Sequence, residues 1–275
     1  MNNVLLVPTD FSDVCANAAK TAASAAKYLN FKVSLLHVID KNTKAALKKE
    51  GKDLSVVQDQ LKELAANLNK EFGVEVDTIA KEGNIFTTIA ETARNIGANL
   101  IYLGTHGKTG MQKLTGSYAL KVITSSEAPV IVTQKRYFEK QYTDIVLPIT
   151  SDSGPWEKTK WAAYIAKQFN ANIHIYHLDS EGIEDAIVLI TNHFKANEVD
   201  YSISKAGKSG NFTKQVIDYA TEINAGLIMI MTNPEKGFSS FILGSYDEDI
   251  IFNSSQIPVM CINPRDVNWK KIVSR

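Results

Sequence analysis

At 275 residues and 44% hydrophobic composition, the chain can fill a sizeable core and exceeds what one ordinary domain needs. Lys and Arg together number 30 and so do Asp and Glu, which excludes a general field drawing the protein to nucleic acid or an anionic membrane; any anion must be met locally. Cys15 and Cys261 make no metal-ligand or disulfide pattern, and no apolar run is long enough for a secretory h-region or a bilayer span, so the expectation is a soluble cytoplasmic protein with buried thiols.

In chain order, short β-rich runs alternate with longer segments of helical period. NVLLVP is followed by an Ala-rich segment from Ser12 to Leu29, in which Val14, Ala18, Ala22, Ala25 and Leu29 recur at helical spacing and Ser12 or Asp13 is placed to cap the start. The small side chains let that helix lie close to a sheet. KVSLLHVI comes next, then a Lys-rich stretch from Asn42 to Asp53 that reads as a solvated helix or loop, with a basic lid as the sharper alternative. A helical segment from Leu54 to Phe72, the strand VEVDTIA, a helix from Ile85 to Ile96 and the strand LIYLG complete the alternation. This βαβα order predicts a parallel sheet with helices on both faces.

From Asp144 the pattern repeats. DIVLPIT matches NVLLVPT, NIHIYHLD matches KVSLLHVI, AGLIMIM matches ANLIYLG and IPVMCI matches APVIVT. Pro8/Pro148 and His37/His177 are each 140 residues apart, Ala98/Ala225 are 127 apart and Pro129/Pro258 are 129 apart, so the second copy has lost residues between its second and fourth strands. The polar segment Lys135 to Thr143 is the natural junction. The expected domains are residues 1–136 and 143–265.

With VPTDFS after the first strand, LLHVID at the second, the glycine loop Gly104 to Ser117 and APVIVT at the last strand, the chain resembles the universal stress protein family in its tandem form, over essentially its whole length. The resemblance implies an α/β fold of two tandem Rossmann-like domains, each a five-stranded parallel sheet flanked by helices, packed as a pseudo-dimer. It implies an adenine nucleotide, ATP or a relative, with Mg2+ as a companion, and self-association through the last strands, PVIVT and PVMCI. Pro8, Thr9, Asp10, Val38, Gly104, His106, Gly107, Lys108, Gly110, Gly116 and Ser117 are the candidate nucleotide-binding residues, all in the first copy. Nucleic acid and membrane are not expected partners.

The chemistry of that set can be stated from the residues. In an open parallel sheet, ligands sit outside the carboxyl ends of the strands where strand order reverses. Glycines there let backbone approach a phosphate, Gly116 and Ser117 open a helix whose free N–H groups favour an anion, and Lys108 adds charge. Asp10 can accept ribose hydroxyls or cap the following helix, and Val38 offers backbone groups to a base edge. Gly83 is expected near the crevice or serves only as a turn residue. His106 can meet a phosphate or bond the neighbouring backbone. The loop departs from the family pattern Gly-x2-Gly-x9-Gly-Ser/Thr, since Gly107 and Gly116 enclose eight residues, one fewer than nine. A tight strand-to-helix connection is the alternative role for these glycines.

In the second copy the loop start reads Met231-Thr-Asn-Pro234 and Asp10 aligns with Thr150, while Gly244-Ser245 survives. Pro234 lacks an N–H, and Glu235 with the run Asp247, Glu248, Asp249 repels an anion, so this half reads as a degenerate domain without a nucleotide site. His37, His174 and His177 read as structural histidines, with His174 and His177 on opposite faces of their strand. Neither a P-loop nor a dinucleotide fingerprint nor a pyrophosphatase loop is present, and no nucleophile pairs with a base. No catalytic or metal residues are therefore expected. The alternatives are a dimerising stress scaffold that binds no nucleotide and, further off, a slow nucleotide hydrolase.

Overall fold

The computed structural model describes residues 2–106, 116–137, 141–150, 156–207, 210–232 and 245–263. The chain divides into two compact units, Met1–Tyr137 and Phe138–Arg275. Of the loop residues singled out above, Gly107, Lys108 and Gly110 lie outside the described residues, as do Pro234, Glu235 and Gly244.

Unit 1 runs β1 (Val4–Pro8), α1 (Asp13–Leu29), β2 (Lys32–Ile39), α2 (Lys41–Lys49), α3 (Ser55–Phe72), β3 (Val76–Glu82), α4 (Ile85–Ile96), β4 (Leu100–Gly104), α5 (Gly116–Ser125) and β5 (Val130–Thr133). All strand pairs within it are parallel, in the order β3-β2-β1-β4-β5. Right-handed crossovers place α1 and α3 on one face, and the reversed direction of travel after β3 places α4 and α5 on the other. Because both faces are covered, β1 and β5 are buried at every residue and carry no alternation.

The alanines of α1 set how closely it approaches the sheet. Ala18, Ala19, Ala22, Ala23, Ala25 and Ala26 are all buried, and the helix packs against β1, β2 and β4. Ser12 occupies the cap position of α1 but makes no side-chain cap bond, contrary to the capping expected for it. The loop before it is ordered instead by two short-range bonds, Phe11 N–H to Thr9 Oγ1 at 3.0 Å and Ser12 N–H to Asp10 Oδ1 at 2.9 Å. The Lys-rich stretch forms α2, a helix with no buried residue, capped at its start by Asp40, whose carboxylate accepts the Thr43 N–H at 2.8 Å.

Unit 2 repeats the plan: β6 (Asp144–Ile149), α6 (Trp156–Phe169), β7 (Asn172–His177), α7 (Ile183–Ala196), β8 (Tyr201–Lys205), α8 (Phe212–Glu222), β9 (Leu227–Met231), α9 (Ser245–Ile251) and β10 (Val259–Ile262). Its order, β8-β7-β6-β9-β10, mirrors that of unit 1, again all parallel. Residues 40–75 lie between β2 and β3 but only 178–200 between β7 and β8, thirteen fewer. One helix, α7, stands where unit 1 has two, so the residues lost from the second copy correspond to a missing counterpart of α2.

Candidate functional site

Strand order in unit 1 reverses between β1 and β4, so the crevice outside their carboxyl ends is the expected ligand position. A cavity of about 440 Å³ lies there, within the range of small-molecule sites. Pro8, Thr9 and Asp10 border it from β1, Val38 from β2, and Gly104 from β4. Most of the remaining wall is apolar, with Leu36, Ile85, Ile89, Leu103, Ala119 and Val122 contributing.

Each of these residues is placed by a local cause. Thr9 N–H donates to the Leu36 carbonyl at 2.8 Å, prolonging the β1–β2 ladder past Pro8 and carrying the chain to the cavity rim. Phe11 then adopts a left-handed conformation (φ 65°) and stacks on His37, ring centroids 4.8 Å apart. That reversal leaves the Asp10 side chain exposed at the mouth. Burial alone would raise the Asp10 carboxyl, but hydrogen bonding from Ser12 and Cys15 outweighs it and holds the group below the ordinary aspartate range, ionised at neutral pH. Val38 keeps its carbonyl close to home, accepting the Asp40 N–H at 3.0 Å.

Gly104 has a steric role as well as a place in the wall. A Cβ there would stand 2.7 Å from the Val14 carbonyl carbon and 2.9 Å from the Cys15 nitrogen, and closer still to the Val14 oxygen. The missing side chain therefore makes room for the first turn of α1. The glycine spacing read from the sequence directed attention to a phosphate, whereas the atoms that need the space belong to backbone. His106, just beyond β4, is not among the cavity's bordering residues; its Nε2 is enclosed and has no hydrogen-bond partner among the described residues. Gly116 and Ser117 form the first turn of α5, whose next residues Tyr118 and Ala119 border the cavity.

Four polar neighbours were not among the candidate nucleotide-binding residues. His37 lines the cavity, its Nδ1 2.9 Å from the Thr9 carbonyl; burial lowers its pKa, so the ring is neutral with Nδ1–H donating. Asp40, Asn42 and Thr43, the first turn of α2, border the same space. The signal that could have found them is the DKNT stretch, an aspartate three residues before a threonine at a helix start. Cys15 also reaches the cavity, its thiol pushed up to about 12 by burial and the neighbouring Asp10 carboxylate.

Unit 2 differs at the corresponding places. Thr150 takes the position of Asp10 and Met231 that of Gly104. Lys158 aligns with Ala18 and Asp247 with the cavity-lining Ala119, and both charged side chains are buried. The Lys158 ammonium donates to the Pro148 carbonyl, and burial lowers its pKa to about 7 against the opposing pull of Asp247. Burial and the same aspartate raise the Cys261 thiol. The sign of this charge cluster was visible in the sequence only as a lysine where helical period puts a buried alanine. As expected from their spacing, His174 and His177 make separate contacts: His174 Nε2 lies 2.9 Å from Asp144 Oδ1, and His177 Nδ1 lies 2.8 Å from the Leu178 carbonyl. Among the described residues no group of three or more His, Cys, Asp or Glu side chains is arranged to hold a metal ion, and no helix is long and apolar enough to cross a membrane.

Fold and crevice together define a doubly wound α/β protein, duplicated, with a mononucleotide-sized cavity at the strand-order switch of its first unit. Comparison with known proteins narrows the class. The universal stress protein family model matches residues 1–134. The universal stress protein MJ0531 of Methanocaldococcus jannaschii is 35% identical over 139 residues, covering 48% of this chain and 81% of that protein; MJ0577 of the same organism is 28% identical over 157 residues, covering 50% and 97%. The crystal structure of a universal stress protein from Archaeoglobus fulgidus superposes with a TM-score of 0.77 at 20% identity, covering 96% of this chain and 100% of that one, a likeness of fold. The chain belongs to the universal stress protein family.

Proposed function

We propose that unit 1 binds ATP or a related adenine nucleotide as a signalling or structural ligand in the stress response, without efficient turnover, and that unit 2 does not. The observation that carries this reading is the cavity itself. An apolar wall suited to a purine face meets an ionised acceptor, Asp10, at the mouth, at the strand-order switch of a parallel sheet. The base lies against Ile85, Ile89, Leu103 and Val122, and Asp10 accepts the ribose hydroxyls. The phosphates extend toward the exit of β4 and the first turn of α5, where helix N–H groups favour an anion. Mg2+ arrives on the phosphates, keeping most of its own water shell. Turnover is not part of the reading because the sequence carries neither a P-loop nor a pyrophosphatase loop.

In unit 2 the ligand's place is compromised twice, by the Met231 side chain opposite the Gly104 position and by the buried Lys158 and Asp247 charges. Calorimetric titration of the full chain with ATP tests the reading. Wild type binds saturably, and Asp10→Ala weakens binding by about 10- to 100-fold, the worth of hydrogen bonds to a charged acceptor. Saturable binding unaffected by Asp10→Ala would refute the assignment of Asp10, and no binding at all would leave the scaffold reading.

A further inference from the structure

A second cavity of about 420 Å³ adjoins the first. The two share Asp40, Asn42, Ile85 and Tyr118, so they abut along this wall. The additional residues that line it are Lys41, Gly83, Asn84 and Phe86. This is also where the structure places Gly83, rather than in the wall of the first cavity. A Cβ at Gly83 would collide with the Thr88 side chain, which is buried, so the chain enters α4 without a side chain at this point.

The wall has a distinct chemistry. Phe86 and Tyr118 stack with ring centroids 5.0 Å apart and planes 28° from parallel, and Lys121 Nζ stands 4.6 Å from the Phe86 centroid. Both rings are half-buried, which leaves aromatic surface at the cavity. Polar groups converge on it from two helix starts: Lys41 opens α2, and Asn84 caps α4 by accepting the Phe86 N–H at 3.0 Å. One mononucleotide-sized cavity is already accounted for by the proposed adenine nucleotide. A second of similar size, walled by an aromatic pair and rimmed by a cation and amide groups, suits a second planar group with polar edges.

We infer that the preferred ligand is an adenine nucleotide extended by a second aromatic group, which packs against Phe86 and Tyr118 in the adjoining cavity. This inference rests on the nucleotide reading of unit 1 and adds the ligand's second half to it. The second group is joined through the phosphate chain, as in a dinucleoside polyphosphate, or through the base, as in an N6-benzyl adenine nucleotide.

Calorimetric titration of the full chain with ATP, diadenosine tetraphosphate and N6-benzyl-ATP separates these. The expected result is that one of the two extended ligands binds about 10- to 100-fold tighter than ATP, the worth of stacking one base on an aromatic side chain, and which one shows where the second group attaches. Phe86 does not border the first cavity, so Phe86→Ala removes that gain and leaves ATP affinity unchanged. Phe86→Leu, which keeps the apolar bulk at the start of α4, gives the same loss if the fold of Phe86→Ala is disturbed. ATP binding with no gain for either extended ligand, or a gain that survives both substitutions, overturns the inference alone. Failure of all three ligands to bind overturns the nucleotide reading beneath it.

Discussion

Gly104→Ala destabilises unit 1 by about 3 kcal/mol, at the upper end of what an inserted methyl costs in a packed interior, and lowers its melting midpoint by roughly 10 °C. The added carbon would lie within 3 Å of three backbone atoms at Val14 and Cys15, and backbone cannot rotate aside as a side-chain tip can. Either the first turn of α1 or the exit of β4 moves, and both border the cavity, so ATP affinity falls with stability. Gly73 provides the contrast. It ends α3 at φ 70° with open space where a Cβ would go, so Gly73→Ala carries only the torsional cost, about 1 kcal/mol. Far-UV circular dichroism melting of the full chain compares the two substitutions across both units, and tryptophan fluorescence assigns the transition of unit 2, because all three tryptophans, Trp156, Trp161 and Trp269, belong to it. A Gly104→Ala protein that melts within a degree of wild type would contradict the packing role.

The second large effect concerns pH and unit 2. Burial lowers the Lys158 pKa from 10.5 to about 7, so between those values the unfolded lysine holds a proton that the folded one has released. Stability of unit 2 therefore rises as pH increases through this window and is independent of this group below it, where both states are protonated. The slope approaches 1.4 kcal/mol per pH unit, roughly 5 kcal/mol across the whole window, and about half of that lies within reach between pH 7 and 9. Urea unfolding followed by tryptophan fluorescence should show this rise in wild type and its disappearance in Lys158→Met. The comparison of slopes is the informative quantity, because Lys158→Met also removes the bond to the Pro148 carbonyl and so shifts the absolute stability. Identical slopes in the two proteins would show that Lys158 stays protonated in the folded state.

The alternation of apolar runs and helical period was enough to anticipate the parallel α/β plan, because strands covered on both faces leave continuous runs such as VLLVP and VIVT. The duplication located the shortened connection in the second copy, and the structure attaches that loss to the absence of an α2 counterpart. At the site, Pro8, Thr9, Asp10, Val38 and Gly104 come together because each stands at or just beyond the carboxyl end of a strand, which is a matter of topology and readable from order. What was not readable depends on side-chain direction in three dimensions. Gly104 faces α1, His37 turns into the cavity, and the first turn of α2 folds over its rim, none of which has a periodic signature. Lys158 escaped notice because a lone lysine in an amphipathic helix ordinarily marks the solvated face; only its alignment with Ala18 betrays the burial.

If the crevice of unit 1, and not that of unit 2, takes an adenine nucleotide, as proposed, saturating ATP alters hydrogen–deuterium exchange of the full chain in unit 1 alone. The prediction is slowed exchange at residues 9–12, at 38–43 and in the first turns of α5, with no change at residues 145–150 or in β9. Unchanged exchange throughout unit 1, or equal protection of both units, would contradict it.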